Sequence, residues 1–235
     1  LMIRRPPRST LSSSSAASDV YKRQMGYEPE NTLDSFQAAI DMGCDMVELD
    51  VYAVDNHLIV IHDERVDRTT DGCGAVMSHS FEALRRLDAG KQQQIPTLGE
   101  VLDLCLGRLH VNIELKGPNT AEPVCRFLDQ NYPNRTDDLL ISSFDHAELA
   151  RADPRYHRGP LFGKAANYLQ VVQRLDAVAV HCHRKLINKT MLDTLHAKSL
   201  NVFAYTVNDP QQIAEFRATG VDGVFTNYPD RVLVP

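Results

Sequence analysis

The sequence predicts an α/β fold and, within that class, a (β/α)8 barrel. After residue 25, short runs rich in β-branched residues alternate with helical patterns, which is typical of parallel strands joined by crossover helices. Acidic and histidine side chains lie near the ends of several different strands, as they do in barrel active sites. An open doubly wound sheet is the alternative. It is disfavoured because neither of the two glycine-rich phosphate-binding motifs, G-x-G-x-x-G and G-x-x-x-x-G-K-[ST], follows any strand.

Eight short runs are predicted to be strands, because they are apolar or β-rich and are separated by helical patterns. In chain order they are residues 45–54, 58–62, 110–116, 139–144, 160–163, 177–181, 200–207 and 223–226. Helical patterns separate most of these runs, so we expect parallel pairing of the strands.

Three predicted helices have recognisable ends. Asn31 or Thr32 can cap the first helix, which Gly43 ends. Residues 97–100 have capping-box spacing and start a second helix that runs through residue 106. Residues 209–210, an Asp-Pro pair, start a third helix that ends before residue 220.

Composition excludes several classes of protein. The chain has 235 residues, is 43% hydrophobic and carries a net charge of -6, so it lacks the basic surface of a nucleic-acid-binding protein. We expect no stable membrane insertion, because no apolar run approaches the roughly 18 residues of a membrane span. The five cysteines are scattered and form no C-x-x-C pair, which favours a reducing cytoplasmic location. Oligomeric state is left open.

The first 24 residues differ from the rest of the chain. They are serine-rich and hold five Lys or Arg residues against one acid, a composition that also resembles an organelle transit peptide. Pro6 and Pro7 interrupt the only candidate amphipathic helix, which disfavours a transit peptide. We expect residues 1–24 to be a non-native or disordered segment, resembling translated adaptor or vector sequence, in the place of native sequence. Residues 25–235 are then the folded domain.

Two strands carry pairs of charged residues at alternate positions. Glu48 and Asp50 share one face of the first predicted strand, with apolar residues on its other face. Glu114 and Lys116 repeat this arrangement on the third strand. Three acids that point into a barrel are costly unless a cation lies between them. The pattern predicts an all-oxygen site for Mg²⁺ or Ca²⁺, with buried salt bridges as the alternative.

His62 ends the second predicted strand, a few residues after the acidic pair. Its side chain titrates in the range suited to general acid–base catalysis, so we predict that it transfers a proton. His181 and His183 also share a strand face, but no third ligand lies near them in the sequence, which disfavours a second metal site. Cys182 lies between them and is predicted to face the helices.

Nine short motifs, in the order in which they occur here, resemble the glycerophosphodiester phosphodiesterase family. They are P-E-N-T (29–32), V-E-L-D-V (47–51), I-H-D (61–63), R-T-T-D-G-x-G (68–74), I-P-T-L-x-E-V (95–101), N-I-E-L-K (112–116), S-S-F (142–144), Y-T-V-N (205–208) and V-D-G-V-F-T-N-x-P (221–229). Residues 180–210 resemble most closely the cytoplasmic bacterial enzymes.

This resemblance implies a TIM barrel with a small insertion after the second strand, here at about residues 64–94. It implies metal-dependent hydrolysis of glycerophosphodiesters to glycerol 3-phosphate and an alcohol. Transferred to this sequence, the family's metal ligands are Glu48, Asp50 and Glu114, and its general acid or base is His62. The resemblance further implies that Lys116 contacts the phosphate. It places Glu30 at the mouth of the site.

Tyr205 stands where the family commonly has an aromatic residue. The resemblance implies that its ring packs against the glycerol carbons, with ordinary barrel packing as the alternative. The nucleophile is either water or the substrate's own 2-hydroxyl group.

One family motif is absent. Family members begin with a strand that ends in His-Arg-Gly, about eight residues before the proline of P-E-N-T. Residues 21–23 are Tyr-Lys-Arg here, and His57 is the first histidine in the chain. We therefore expect the first strand to be missing or replaced and the activity to be impaired. The alternatives are a non-catalytic barrel that binds a metal or a phosphate ester, and a lipase of the phospholipase D type with the same barrel.

Overall fold

A computed structural model describes residues 20–22 and 28–232, with side chains from residue 28 onward. Nine strands are found in this part of the chain. They are β1 (Val20–Lys22), β2 (Met46–Val54), β3 (His57–Val60), β4 (His110–Leu115), β5 (Leu139–Ser143), β6 (His157–Phe162), β7 (Ala179–His183), β8 (Asn201–Tyr205) and β9 (Gly223–Val224). The eight runs predicted from the sequence all contain strands, with ends shifted by a few residues.

The sheet is built from eight parallel strands in the order β1-β2-β4-β5-β6-β7-β8-β9. Each strand pairs with the next one along the chain, β3 excepted, which is the pairing pattern of a TIM-barrel-like fold. Within the described residues no ladder joins β9 to β1, so the sheet is curled, and a closed barrel is not seen. The carboxyl ends of the strands lie along one edge, where chemistry is placed in α/β sheets.

The strand β3 corrects the expectation of parallel pairing. It pairs antiparallel with β2, in a register that sets Val51 opposite Val60, and it lies outside the path of the parallel sheet. Asp55 and Asn56 join the two strands, and both have positive φ angles, as a tight two-residue hairpin turn requires. With two residues between the strands, no crossover helix fits, so the pair is a hairpin.

Helices connect the parallel strands. They are α1 (Leu33–Asp41), α2 (Phe81–Leu84), α3 (Leu98–Cys105), α4 (Ala121–Asn131), α5 (His146–Leu149), α6 (Tyr168–Leu175), α7 (Lys189–His196) and α8 (Pro210–Thr219). The predicted helix starts are confirmed. Thr32 and Thr97 form capping boxes before α1 and α3, and Asp209 caps α8.

The main core lies between the sheet and the helices. Val47, Leu49 and Ile113 project from the strands into this layer, whereas the acidic residues between them face the other side. Cys182 belongs to this layer, as predicted, and burial raises the pKa of its thiol to about 12. Within the described residues, no helix is both long enough and apolar enough to cross a bilayer.

The segment of residues 64–94 packs against the hairpin in a cluster of its own. Val66, Val76 and Leu84 from the segment contact Tyr52 and Ile59 from β2 and β3. The segment therefore lies over the β2–β3 hairpin and beside the strand that carries Glu48 and Asp50.

The position beside β2 is occupied by Val20–Lys22. The two strands are parallel, with Lys22 opposite Glu48 in the register. The prediction that the first strand is replaced therefore concerns residues 20–22, which lie at this position. The other predictions for the first 24 residues concern residues 1–19 and 23–24, which lie outside the described residues.

Candidate active site

Two adjacent strands bring the predicted metal ligands together. In the register of β2 and β4, Asp50 lies opposite Glu114, and Glu48 lies opposite Asn112. The carboxylates of Glu48, Asp50 and Glu114 are fully buried, and one oxygen atom from each lies within 4.8 Å of the others. The alternation of side chains along a strand explains why both acids of β2 point to the same place.

Lys116 supplies positive charge to this acidic cluster. Its ammonium donates to Glu114 Oε1 at 2.5 Å and lies 3.1 Å from Asp50 Oδ1. The Lys116 backbone N–H donates to Val51 O at 3.0 Å, which holds the residue just beyond the end of β4. Lys116 therefore brings a positive charge into direct contact with two of the three buried acids.

Asn31 belongs to the site, although the sequence analysis considered it only as a helix cap. Its side-chain amide donates to Asp50 Oδ2 at 3.0 Å, and the residue is buried with a φ of 54°. Thr32 caps α1 and donates to Pro29 O at 2.7 Å, which fixes the loop before the helix. The available signal was an asparagine, a residue that tolerates positive φ, directly before a helix cap.

His62 follows the hairpin strand β3 at the edge of the site. The N–H of Ile61 donates to Asp50 O at 2.9 Å, so the chain that carries His62 is tied to the strand that carries two acids. His62 lines a small pocket together with Glu30, Asn31 and Thr69. A third of its side chain is exposed, as a proton-transferring group requires.

Arg68 connects Glu30 to the region of His62. Its guanidinium donates to both oxygens of Glu30, at 2.7 and 2.8 Å, and to both oxygens of Asp63. Hydrogen bonds with Glu30 and then Asp63 raise the pKa of Arg68 above its ordinary value. Glu30 was predicted at the mouth of the site, and the structure pairs its carboxylate with Arg68. The sequence analysis included Arg68 in a motif but gave it no role.

An aromatic pair, Phe144 and Tyr205, lies beside Lys116. The ring of Tyr205, at the end of β8, meets the ring of Phe144 edge to face, with centroids 5.7 Å apart. The Lys116 ammonium lies 5.9 Å from the centroid of the Phe144 ring. Tyr205 is buried, whereas Phe144 is half-exposed. This aromatic pair therefore adjoins the charged residues. Phe144 lies in the S-S-F motif, but no role was predicted for it.

The two histidines of β7 lie beside aromatic rings. His181 is fully buried between the rings of Phe203 and Phe225, with centroids 5.2 and 5.0 Å away. His183 lies at the end of the strand, 6.0 Å from the ring of Tyr205. Among the residues that the structure describes, the acidic cluster is the only group of three or more potential metal-ligating side chains.

The donor set suits a hard divalent cation. Each of the three ligands offers carboxylate oxygen, and neither sulfur nor imidazole belongs to the cluster. Both polar atoms of the Asn112 side chain, on the strand position opposite Glu48, are buried with no hydrogen-bond partner in the described part of the chain. The Ser142 hydroxyl, opposite Glu114 in the strand register, is also buried with no hydrogen-bond partner among the described residues. The interior beside the acids is therefore suited to a polar or charged occupant.

Comparisons with known sequences agree with this geometry. The sequence profile of the Glycerophosphoryl diester phosphodiesterase family matches residues 23–231. The glycerophosphodiester phosphodiesterase of Bacillus altitudinis is 34% identical over 233 residues, covering 88% of this chain and 93% of that protein. The enzyme of the same name from Caldanaerobacter subterraneus is 32% identical over 225 residues, covering 87% and 91%.

Solved structures of phosphodiesterases have folds similar to that of this chain. A phosphodiesterase from Oleispira antarctica, in complex with the product sn-glycerol-3-phosphate, superposes with a TM-score of 0.85 at 29% identity, covering 91% of this chain and 94% of that one. A glycerophosphodiester phosphodiesterase from Agrobacterium tumefaciens has a TM-score of 0.81 at 25% identity, covering 92% and 99%. Fold and sequence thus point to one family of proteins.

Proposed function

Because the chain belongs to the Glycerophosphoryl diester phosphodiesterase family, a family of phosphoric diester hydrolases, we propose that it hydrolyses glycerophosphodiesters to sn-glycerol 3-phosphate and an alcohol. The observation that carries this proposal is the buried cluster of Glu48, Asp50 and Glu114 beside the ammonium of Lys116. A phosphodiester brings a negative charge, and this site combines a place for a divalent cation with a fixed positive side chain.

The proposed cofactor is Mg²⁺ or Ca²⁺, held by Glu48, Asp50 and Glu114. When bound, the cation would polarise a phosphoryl oxygen and offset the charge that develops during transfer. Lys116, whose ammonium contacts Asp50 and Glu114, would contact a second phosphate oxygen. Cation and ammonium would then both neutralise the phosphate.

The remaining roles follow from position. His62 would protonate the oxygen of the leaving alcohol, since it is a partly exposed imidazole at the rim of the acidic cluster. Tyr205 and the adjoining Phe144 would pack against the glycerol carbons. Glu30 would act at the mouth of the site through its pairing with Arg68.

We further propose that the chain as it stands turns over slowly. Its sequence has Tyr-Lys-Arg at residues 21–23, where the resemblance implies His-Arg-Gly. The resemblance implies that the histidine of this motif is a second acid–base group beside His62, and losing one such group typically costs roughly 10² to 10⁴ in rate. We also propose that the strands close into a full barrel and that residues 64–94 are an insertion after the second strand. A cytoplasmic location is proposed as well.

The test is hydrolysis of glycerophosphocholine in the presence of Mg²⁺ or Ca²⁺. Glycerol 3-phosphate release is measured for the unmodified chain and for the triple variant Tyr21→His, Lys22→Arg and Arg23→Gly. We expect slow release by the first protein and a rise of at least 10²-fold in the second. Addition of EDTA should abolish both activities.

The matched control is Glu48→Gln in the triple variant, which keeps the size of the side chain and removes its charge. It should lose metal-dependent activity. If the triple variant is inactive and Glu48→Gln leaves Mg²⁺ binding unchanged, the phosphodiesterase proposal is wrong. If the unmodified chain is as fast as the triple variant, the proposal of impairment is wrong.

A further inference from the structure

We propose that Asp63 and Arg68 are positioning residues, which hold the His62 ring with its Nδ1 hydrogen on Asp63 and its Nε2 atom available for proton transfer. This inference rests on the proposed function for its catalytic meaning. The observation itself is geometric. His62 Nδ1 is in hydrogen-bond contact with Asp63 Oδ1, and Asp63 is in turn held by the Arg68 guanidinium.

The assignment of the proton follows from the charge of Asp63. Arg68 donates to Asp63 through Nε and through Nη2, the latter at 2.9 Å, and two charge-assisted bonds favour the ionised carboxylate. An ionised carboxylate only accepts hydrogen bonds, so the ring atom that faces it must carry the hydrogen. His62 is then a donor at Nδ1 in both its neutral and its protonated form, and proton exchange with substrate takes place at Nε2.

Arg68 is itself held in one orientation. Its Nη1 and Nη2 atoms donate to the two oxygens of Glu30 at 2.8 and 2.7 Å, while Nε and Nη2 reach Asp63. A planar guanidinium can serve two carboxylates in this manner, whereas a lysine ammonium is a point charge without the fork geometry. Three separate parts of the chain therefore converge on one imidazole: the loop before α1, the end of the hairpin and the segment of residues 64–94.

The segment of residues 64–94 also contains Arg85, whose ion pair with Glu100 serves as a control. Arg85 donates to both oxygens of Glu100, at 2.7 and 2.8 Å, and this pair closes the cap of α3. The other hydrogen bonds of this pair go to Ile95 O and to Thr97, and no histidine among the described residues bonds to it. Arg85→Lys thus removes a bidentate arginine–carboxylate pair of equal geometry from the same segment. An effect seen in Arg68→Lys but not in Arg85→Lys therefore comes from the place of Arg68 beside Asp63, and not from the loss of an arginine–carboxylate pair as such.

The experiment reads the His62 tautomer by ¹⁵N nuclear magnetic resonance of the full chain labelled at histidine. The His62 signals are assigned by their loss in His62→Gln. In the unmodified chain at a pH where His62 is neutral, we expect the hydrogen at Nδ1. In Asp63→Asn, and to a smaller degree in Arg68→Lys, the population should shift toward the Nε2–H form. In Arg85→Lys it should stay unchanged.

Kinetics in the triple variant defined above supply the second readout. Asp63→Asn and Arg68→Lys should lower kcat by 10- to 100-fold and leave KM within about twofold, because they misorient a proton donor and not a substrate contact. Arg85→Lys should leave both constants unchanged. A loss confined to kcat supports positioning, while equal losses in all three variants would show a merely structural role and overturn the inference.

The two readouts separate this inference from the proposed function. The tautomer is measured without substrate, so a chain that shows the Nδ1–H form and its loss in Asp63→Asn supports the positioning role even if glycerophosphocholine is not hydrolysed. An active chain in which neutral His62 carries its hydrogen at Nε2, or in which Asp63→Asn leaves the tautomer unchanged, overturns the positioning role and leaves the phosphodiesterase proposal standing.

Discussion

Lys116 is the residue whose charge matters most to the metal-free site. Its ammonium contacts Asp50 and Glu114, both fully buried, and only 15% of the Lys116 side chain is exposed. Removing one partner of a buried charge cluster leaves carboxylates without compensation, which is far more costly than losing an exposed ion pair. The stability of the protein in EDTA should therefore fall when the Lys116 charge is removed.

We predict that Lys116→Met lowers the unfolding free energy in EDTA by about 3–5 kcal/mol, and that millimolar Mg²⁺ recovers part of the loss. Urea unfolding with and without the metal measures both effects. Lys189→Met is the control, because Lys189 pairs with Asp193 on the exposed face of α7, and its loss should cost under about 1 kcal/mol. Equal unfolding free energies for Lys116→Met and the parent in EDTA would contradict the prediction.

Strand periodicity predicted the acidic residues on β2 and β4, whereas Asn31 and Arg68, which lie on loops, were given no role in the site. The two-residue period of a strand places Glu48 beside Asp50 and Glu114 beside Lys116 without further information. Asn31 and Arg68 reach the site from loops, where no periodicity relates sequence spacing to direction. Both lie within motifs that were recognised, but their contacts with Asp50 and Glu30 join residues 19 and 38 positions apart in sequence.

The start of α3 shows how one element contributes to stability. Thr97 and Glu100 cap the helix reciprocally, and Arg85 donates to the same Glu100 carboxylate. Burial alone would raise the pKa of Glu100, but hydrogen bonds from Thr97 and Arg85 outweigh burial and lower that pKa. A carboxyl whose pKa is lowered by folding stabilises the fold above its unfolded-state pKa. That contribution disappears as the pH falls through the folded-state pKa.

We predict that Glu100→Gln costs about 1 kcal/mol of unfolding free energy at pH 7, because the neutral amide makes weaker hydrogen bonds to the cap and to Arg85. The difference from the parent should shrink as the pH falls below about 4. Urea unfolding at a series of pH values measures it. Glu215→Gln, at an exposed position on α8, is the control and should show no such pH dependence. A difference that persists in acid would disprove the role of the charge.

The hairpin shows the limit of sequence patterns for elements. Residues 58–62 were correctly predicted to be extended, but an apolar run carries no information on strand direction. The deciding feature is the two-residue link of Asp55 and Asn56, which is too short for a crossover and permits only antiparallel pairing. That link is legible in the sequence, since Asp and Asn are the residues that tolerate positive φ at such turns.

The molecule as a whole has one dominant core, to which the parallel strands and the helices around them contribute. Ile113 from β4, Leu128 from α4 and Val202 from β8 all belong to this cluster, and all three are fully buried. Because most elements share it, loss of packing at one point should destabilise the rest. The alternation of strands and helices was sufficient to predict this architecture, whereas the curvature and closure of the sheet depend on contacts far apart in sequence.

We predict that Leu128→Ala lowers the unfolding free energy by about 2–5 kcal/mol in a single cooperative transition. Far-ultraviolet circular dichroism and tyrosine fluorescence should give coincident curves in urea, and the chain has eight tyrosines and no tryptophan. Met77→Ala, at a side chain that is 53% exposed, should change the value by less than about 0.5 kcal/mol. Two separated transitions would show that the core is divided.

Along the sequence, the excursion that begins with the antiparallel hairpin separates the candidate metal ligands of β2 from the one on β4. The candidate metal ligands lie on β2 and β4, whereas His62, Asp63 and Arg68 all lie between them, on a continuous excursion of the chain from residue 55 to residue 97. This stretch leaves the parallel sheet after β2 and ends where α3 begins, and the chain re-enters the sheet at β4. Substitutions in this stretch can therefore alter the surroundings of His62 while the strands that carry Glu48, Asp50 and Glu114 stay unchanged.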